Sequence, residues 1–261
     1  MRLLIVFLCS FLSFFLCSCK PAEQNDLVIG TIAGPETDVL MVAKKIAAEK
    51  YGLRIKIIEF TDYNLPNEAL ADGSLDANVY QHLPYLDAAV LAHHYPFKAI
   101  GKTFIYPMGI YSHKWTTLNA LPSHALIAIP NDPSNERRAL ILLEKAGLIT
   151  LTPQQTGTLS DVISNPKHIT FKELDAAQLP RVLNDVDLAL INTTYALPAG
   201  LNPLKDALYR EGKDSEYANL VVINEHTQKI KQLNDFLKAL QTKEVQDAAK
   251  ELFGDAAIPA W

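Results

Sequence analysis

Cysteine and glycine are scarce in this 261-residue chain. The three cysteines, Cys9, Cys17 and Cys19, all lie within the first 19 residues. The remainder of the chain therefore has no disulfide, no cysteine-ligated zinc and no catalytic thiol. Only 11 residues are glycine, and none of them forms a glycine-rich phosphate-binding loop. A nucleotide-binding site of that kind is not expected.

An excess of positive charge is also lacking. The chain has 24 Lys and Arg against 29 Asp and Glu, a net charge of −5. This balance argues against nucleic-acid binding, which needs a concentrated basic surface. A hydrophobic content of 49% argues against intrinsic disorder. The chain is long enough to form one substantial domain or two small ones.

Recognisable catalytic and metal-binding patterns are missing as well. The sequence contains no Gly-x-Ser-x-Gly nucleophile motif and no His-Glu-x-x-His zinc motif. The seven histidines are scattered, and only His93 and His94 are adjacent. Neighbours on a helix point about 100° apart, so this pair is poorly placed to chelate one ion. We therefore expect no enzyme activity, no metal and no cofactor.

The first 26 residues have the pattern of an export signal. Arg2 precedes an uncharged apolar run, residues 3–16, and the polar segment 20–26 follows. A basic start, a short apolar core and small residues before the cut are typical of a secretory signal peptide. The alternative is a transmembrane anchor, although the uncharged stretch 3–19, about 17 residues long, is at the lower limit for spanning a bilayer.

The end of the apolar run resembles a bacterial lipobox. The string Leu16-Cys17-Ser18-Cys19 places a small residue directly before a cysteine. This resemblance implies cleavage before Cys19 and lipidation of its thiol. We therefore predict a signal peptide at 1–18 and a lipidated tether at 19–26. The protein is expected on the outer side of a cell membrane, held by lipid and facing the periplasm or the cell exterior.

The body of the chain alternates strands and helices. Residues 27–32 are predicted to form a strand, and Thr37 or Asp38 to cap a helix that runs to about Lys50. A second strand is predicted at 54–60. A strand, a helix and a strand within 35 residues form a βαβ unit, which implies a parallel sheet.

The same alternation continues to the carboxyl end. Further strands are predicted at 76–80, 125–129, 169–174 and 187–191. Further helices are predicted at 66–71, 84–93, from a Ser134 cap to Gly147, at 179–184, and as a pair within 227–253. The fold class is therefore α/β.

Two of the predicted strands end in a similar way. Strand 76–80 runs into Gln81 and His82, and strand 187–191 runs into Asn192 and two threonines. An acidic turn precedes each of them, about 110 residues apart. Polar residues at the carboxyl ends of strands in two α/β halves predict a ligand cleft between two lobes.

Several strings in the chain resemble the NLPA lipoprotein family, the methionine-binding lipoproteins that serve ATP-driven importers. The resemblance covers nearly the whole mature chain, and its densest stretches are residues 63–70, 76–87, 130–135, 178–181 and 191–196. It implies a two-lobed periplasmic-binding-protein fold of a type II-like kind, in which the chain crosses between lobes twice.

The resemblance also predicts where the lobes divide. We expect the crossings near residues 108–112 and 219–224. The first lobe would then comprise residues 27–110 and 222–261, and the second lobe residues 111–221.

A bound amino acid needs partners for its carboxylate and its ammonium group. A guanidinium that meets the carboxylate with two parallel hydrogen bonds is well suited to the first task. The family places an arginine at Arg138, although Arg137 stands where the family usually has a small residue. The two directions differ by about 100°, so only one of them should enter the cleft. Asn192 and Asn219 match the family's amide positions.

The resemblance implies an aromatic pocket for the ligand side chain. Tyr63, Tyr80, His82, Tyr85, Phe104 and Tyr106 occupy the matching stretches. A thioether gains about 0.3–1.5 kcal/mol from each contact with an aromatic ring. The family commonly has Phe at the position of Tyr80. If buried, the added hydroxyl needs a partner and could favour a more polar ligand. Core packing is the alternative role for Phe104 and Tyr106.

The implied function is capture of L-methionine, or a close analogue, and delivery to an ABC importer with its permease and ATPase. The protein is expected to be a monomer with no nucleic-acid partner. An alternative ligand is another small amino acid or a methionyl dipeptide. An alternative role is that of a surface adhesin or structural lipoprotein. The sequence does not distinguish L-methionine from D-methionine.

Overall fold

The computed structural model describes residues 26–154 and 156–261. The predicted signal peptide and Cys19 lie outside the described residues, as does nearly all of the predicted tether. Within the described part, no helix is long and apolar enough to cross a membrane.

The described residues alternate strands and helices along most of their length. The strands are β1 (Leu27–Ile32), β2 (Ile55–Phe60), β3 (Ala77–His82), β4 (Phe97–Ile105), β5 (Met108–Tyr111), β6 (Leu126–Pro130), β7 (Thr150–Leu151), β8 (Val162–Ser164), β9 (Thr170–Leu174), β10 (Leu188–Asn192), β11 (Tyr209–Arg210), β12 (Ala218–Asn224) and β13 (Ile258–Pro259). The α-helices are α1 (Pro35–Tyr51), α2 (Leu65–Ala71), α3 (Leu83–His93), α4 (Pro133–Lys145), α5 (Thr193–Ala196), α6 (Ile230–Leu240) and α7 (Lys243–Phe253).

Two larger sheets form the two predicted lobes. The first lobe has six strands in the order β13-β4-β12-β3-β1-β2, and the second has five in the order β11-β5-β10-β6-β9. In the first lobe β1 pairs in parallel with β2 and β3, and in the second lobe β6 pairs in parallel with β9 and β10. The carboxyl ends of the parallel strands in each lobe therefore lie along one edge of the sheet, where open α/β sheets bind ligands.

The chain crosses between the lobes twice. It leaves the first sheet after Ile105 and enters the second at Met108; it leaves β11 at Arg210 and returns at Ala218. The crossings are thus residues 106–107 and 211–217, a few residues before the predicted positions. Met108 pairs with Asn192 in the second sheet, and Asn219 pairs with His82 in the first sheet. Each crossing therefore ends before these residues, which the hydrophobic pattern of the sequence does not reveal.

Apolar side chains cover both faces of each sheet. In the first lobe, one face packs against α1, α6 and α7 through residues such as Ile29, Val39 and Phe236. The opposite face packs near α2 and α3 around Leu70 and Leu86. In the second lobe, α4 covers one face, and a cluster around Leu179 covers the other. Burial on both faces leaves polar side chains room mainly at the strand ends.

Three helix predictions need correction. Helix α1 begins at Pro35 behind Gly34, and neither Thr37 nor Asp38 caps it; proline is favoured at this first position because its missing N–H has no helical acceptor. Helix α4 is capped by Asp132 and not by Ser134. The predicted helix 179–184 is a 3₁₀ segment, Ala176–Val182, in which Pro180 lacks the N–H that an α-helix would need.

Candidate functional site

A cavity of about 330 Å³ lies where polar strand ends of the two lobes face each other. Eight of the nine predicted ligand-binding residues line it, namely Tyr63, Tyr80, His82, Tyr85, Tyr106, Arg138, Asn192 and Asn219. The structure therefore brings together residues that are up to 156 positions apart in the sequence.

Phe104 is the predicted site residue that does not line the cavity. Its side chain is 1% exposed and belongs to the hydrophobic core of the first lobe. Its ring packs edge-on against Trp261, with ring centroids 5.1 Å apart. The structure therefore supports the core-packing alternative for Phe104. Tyr106, at the first crossing, does reach the cavity.

Strand pairing places Asn219 beside His82. The two residues are register partners of antiparallel β12 and β3, at the end of β3 that faces the second lobe. His82 also caps α3, because its Nδ1 accepts a hydrogen bond from the backbone N–H of Tyr85 at 3.3 Å. The proton of the neutral ring is then on Nε2, which lies 3.4 Å from Asn135 Oδ1 of the second lobe.

Burial controls the charge state of His82. Desolvation, with a smaller contribution from the nearby Arg138 cation, lowers the pKa of His82 from 6.5 to about 3. The imidazole is therefore neutral at physiological pH. A neutral ring with its proton on Nε2 can donate to Asn135 without placing a second positive charge beside the arginine.

The amino-terminal half of α4 supplies the polar groups of the second lobe. Asp132 caps the helix by accepting from the Asn135 backbone N–H at 2.9 Å. Asn135 and Arg138 follow at helical spacing on the buried face, whereas Arg137 is exposed. Arg138, and not Arg137, therefore lines the cavity.

Arg138 already holds a carboxylate of this protein. Its Nε and Nη2 donate to the two oxygens of Glu211 at 2.8 and 2.5 Å, and Nη2 also donates to the Tyr106 carbonyl at 2.9 Å. Burial alone would lower the pKa of Arg138, but the charge and hydrogen bonds of Glu211 raise it. Among the described residues, Nη1 has no hydrogen-bond partner and is the guanidinium nitrogen left for a ligand.

Asn192 presents an unsatisfied acceptor. Its Nδ2 donates to Asn135 Oδ1 at 2.9 Å, which fixes the orientation of the amide. Its Oδ1 is buried and has no hydrogen-bond partner within the described part of the chain. A buried acceptor without a partner costs about 1–3 kcal/mol, so this oxygen indicates a donor group on a ligand.

Glu36 lies behind the cavity, between the lobes. It is buried at the start of α1, accepts from Thr194 of the second lobe, and accepts from Asn219 Nδ2 at 3.4 Å. Desolvation raises the pKa of Glu36 from 4.5 to about 7, although both hydrogen bonds oppose the shift. The turn that leads to it requires Gly34, because a Cβ there would lie 3.2 Å from Pro198 and the backbone φ is +130°.

Three tyrosines form the aromatic part of the cavity. The hydroxyls of Tyr80 and Tyr85 both donate to the backbone carbonyl of Tyr63, at 2.9 and 2.8 Å. The three ring centroids are 5.8–6.0 Å apart. The added hydroxyl of Tyr80 therefore has its partner within the protein, and it does not by itself favour a more polar ligand.

Sequence reasoning missed four important residues. Glu36, Asn135, Glu211 and Tyr217 hold or orient the predicted ligand-binding residues. Asn135 lies in residues 130–135, one of the stretches that resemble the family, and this position could have identified it as a site residue. Glu211 is 73 positions from Arg138, and no local pattern connects the two.

The described residues offer no group of three or more His, Cys, Asp or Glu side chains that could hold a metal ion. The polar groups of the cavity are instead one guanidinium, one neutral imidazole, amide groups and hydroxyls. Such an arrangement can bind a small zwitterion, with its carboxylate on the arginine and its ammonium on the amide oxygens.

The fold and the cavity define a two-lobed substrate-binding protein with its site between the lobes. The family model of the NlpA lipoproteins matches residues 27–261. The chain belongs to the NlpA lipoprotein family.

Individual relatives agree with this assignment. A probable D-methionine-binding lipoprotein MetQ of Vibrio cholerae is 44% identical over 247 residues, which cover 94% of this chain and 92% of that protein. A periplasmic substrate-binding protein of an ABC transporter from Coxiella burnetii is 56% identical, with a TM-score of 0.87 over 90% of this chain and 100% of that one. A nutrient-binding protein from Burkholderia cenocepacia, solved bound to methionine, is 45% identical, with a TM-score of 0.88 over the same shares. The predicted family and the two-lobed α/β fold are confirmed.

Proposed function

We propose that this protein is a non-catalytic lipoprotein that binds methionine between its two lobes and delivers it to an ABC importer. The observation that carries the proposal is a pair of unused groups at one cavity. Arg138 Nη1 is an unused donor among the described residues, and Asn192 Oδ1 is an unused buried acceptor there. An α-amino acid carries the complementary carboxylate and ammonium groups.

The aromatic part of the cavity supports a thioether side chain. Burial raises the pKa of Tyr63, Tyr80 and Tyr85, so all three side chains are neutral. The hydroxyls of Tyr80 and Tyr85 donate to a backbone carbonyl of the protein, which leaves their rings for contact with a ligand. A polarizable sulfur gains about 0.3–1.5 kcal/mol from each ring that it contacts. The relatives named or solved as methionine-binding proteins support the same ligand.

Contacts from both lobes support capture by closure. His82 faces Asn135 across the cleft, Glu36 meets Thr194, and the rings of Tyr63 and Tyr195 have centroids 4.9 Å apart. A ligand that touches Arg138 and Asn219 joins the same two lobes. It therefore favours the closed arrangement through its differential contacts.

The ligand is tested by isothermal titration of the soluble form from Lys20, after unfolding and refolding to remove bound ligand. We expect L- or D-methionine to bind, and methionine amide and 4-(methylthio)butanoate to bind far more weakly, because each lacks one charged group. Norleucine, which has no sulfur, is the control for the aromatic pocket. Binding of a different amino acid or a dipeptide would mean that the protein has another substrate. No binding across the panel would contradict the transport function and favour the role of a surface adhesin.

Membrane attachment is proposed through a lipid on Cys19. We expect Cys19→Ser to release the protein from the membrane fraction, with Cys17→Ser as the matched control that leaves it bound. Membrane association of the Cys19→Ser variant would indicate a transmembrane anchor instead.

A further inference from the structure

Arg138 is held by both chain crossings, although it belongs to a helix of the second lobe. Its Nη2 donates to the carbonyl of Tyr106 in the first crossing at 2.9 Å. Its guanidinium lies 4.4 Å from the ring centroid of Tyr217, at the end of the second crossing. Arg138, the residue expected to bind the ligand carboxylate, therefore contacts both segments that connect the lobes.

Glu211 makes the strongest of these contacts. It is the first residue of the second crossing, and its two oxygens accept from Arg138 Nε and Nη2 at 2.8 and 2.5 Å. The two side chains are 3% and 9% exposed, so water screens the pair weakly. Two parallel hydrogen bonds fix the plane of the guanidinium as well as its position.

Glu211 also ties the two crossings to each other. Its Oε2 accepts from the backbone N–H of Met108, the first residue after the first crossing, at 2.8 Å. The hydroxyl of Ser215 in its own segment lies 3.4 Å from the same oxygen. One carboxylate thus connects the arginine, the start of β5 and the returning chain.

The arrangement decides which part of Arg138 can meet a ligand. Nε has one proton, and Glu211 takes it; Nη2 has two, and Glu211 and Tyr106 take them. Nη1 keeps both of its protons without a protein acceptor among the described residues, and the Arg138 side chain lines the cavity. The sequence suggests that two nitrogens of Arg138 bind the ligand carboxylate. In the structure, Nε and Nη2 form this pair of hydrogen bonds with Glu211 instead.

We propose that Glu211 is a positioning residue for ligand capture, which orients Arg138 so that Nη1 meets the ligand carboxylate and which links that contact to both crossings. The proposal rests on the proposed function, because it assumes a ligand with a carboxylate. Glu211 itself does not line the cavity.

The test compares Glu211→Gln with Glu216→Gln, an exposed glutamate in the same segment that provides the matched loss of charge. Titration with methionine and with methionine amide separates positioning from general damage. In Glu211→Gln we expect methionine binding to weaken roughly ten- to a hundredfold and amide binding to change by less than about threefold. Glu216→Gln should leave both unchanged.

A second measurement does not need a ligand. In ligand-free protein labelled with ¹⁵N, we expect the Nε–H signal of Arg138 to be protected from solvent exchange in the wild type and in Glu216→Gln. The signal should lose its protection in Glu211→Gln. Should Glu211→Gln fail to fold, Glu211→Asp keeps the charge, shortens the reach, and should show an intermediate loss in both measurements.

Three outcomes would overturn the proposal. Equal losses for methionine and its amide would mean that Glu211 only supports the fold. Tighter methionine binding in Glu211→Gln would mean that Glu211 competes with the ligand. An unchanged Arg138 signal would mean that the arginine is held by other residues. If methionine fails to bind the wild type while the Arg138 signal behaves as expected, the proposed function is rejected but the hold of Glu211 on Arg138 stands.

Discussion

The cavity has two unlike sides: a polar side formed by Arg138, Asn192 and Asn219, and an aromatic side formed by Tyr63, Tyr80 and Tyr85. On the aromatic side, the hydroxyls of Tyr80 and Tyr85 both bond to one backbone carbonyl. On the polar side, the protein satisfies most groups but leaves a guanidinium nitrogen and a buried amide oxygen unused within the described residues.

This difference indicates how affinity and selectivity are divided. The polar side can recognise the carboxylate and ammonium that every amino acid shares. The aromatic side offers shape and polarizability, which distinguish one side chain from another. Mutations on the polar side should therefore affect all amino-acid ligands, and mutations that remove a ring from the aromatic side should change the preference among them.

The largest effect is expected from removal of the arginine. We expect Arg138→Ala to weaken methionine binding by about 2–5 kcal/mol, because the ligand carboxylate would be buried without its partner. Glu211 would lose its partner as well, so the unfolding free energy should also fall. Titration calorimetry measures the first effect. The exposed neighbour provides the control, since Arg137→Ala should bind normally; an unchanged affinity in Arg138→Ala would contradict the assignment.

Glu36 is expected to make stability depend on pH. Its pKa in the folded protein, about 7, lies above the ordinary 4.5, so folding favours the protonated form. The stabilisation is complete below pH 4.5 and is lost as the pH rises through 7. This loss amounts to about 3 kcal/mol.

Glu36→Gln should abolish this contribution. The difference in unfolding free energy between wild type and variant, measured with urea from pH 4.5 to above 7, should change by about 3 kcal/mol. Glu49→Gln, an exposed position on the same helix, is the matched control for loss of a carboxylate. A difference for Glu36→Gln that does not change with pH would show that the carboxyl is not desolvated in solution.

A smaller effect is expected at the unused amide oxygen. Asn192→Ala removes the acceptor proposed for the ligand ammonium and should weaken methionine binding by about 1–3 kcal/mol. The loss should be much smaller for 4-(methylthio)butanoate, which has no ammonium. Asn131→Ala, an exposed asparagine after the neighbouring strand β6, provides the control. Equal losses for both ligands would remove Asn192 from the ammonium site.

The smallest effect is expected on the aromatic side. Tyr80→Phe removes one of two hydrogen bonds to the Tyr63 carbonyl and should lower the unfolding free energy by about 0.5–1.5 kcal/mol. The ring remains, so the order of preference among methionine, norleucine and other amino acids should not change. A shift of preference would show that the hydroxyl contacts the ligand, and the two sides would then be less distinct than the structure indicates.

Much of the fold follows from local patterns. Strand β1 has the predicted bounds, and the helix pair α6 and α7 lies within the predicted segment. Strand β1 is recognised as a short apolar run that is buried on both faces. Periodicity succeeds at α6 and α7 because each helix buries one face against a neighbouring layer. It fails at helix starts such as Pro35 and Asp132, where the capping geometry decides the boundary.

The candidate site divides in the same way. The sequence by itself determined that polar residues follow two strand ends, at His82 and Asn192, and that an arginine follows the turn before α4. Only the tertiary structure decided that Arg138 binds Glu211, that Glu36 meets Thr194, and that Phe104 packs into the core. These pairings join residues 73 and 158 positions apart. Their formation depends on how two sheets meet, and no local pattern in the chain specifies that geometry.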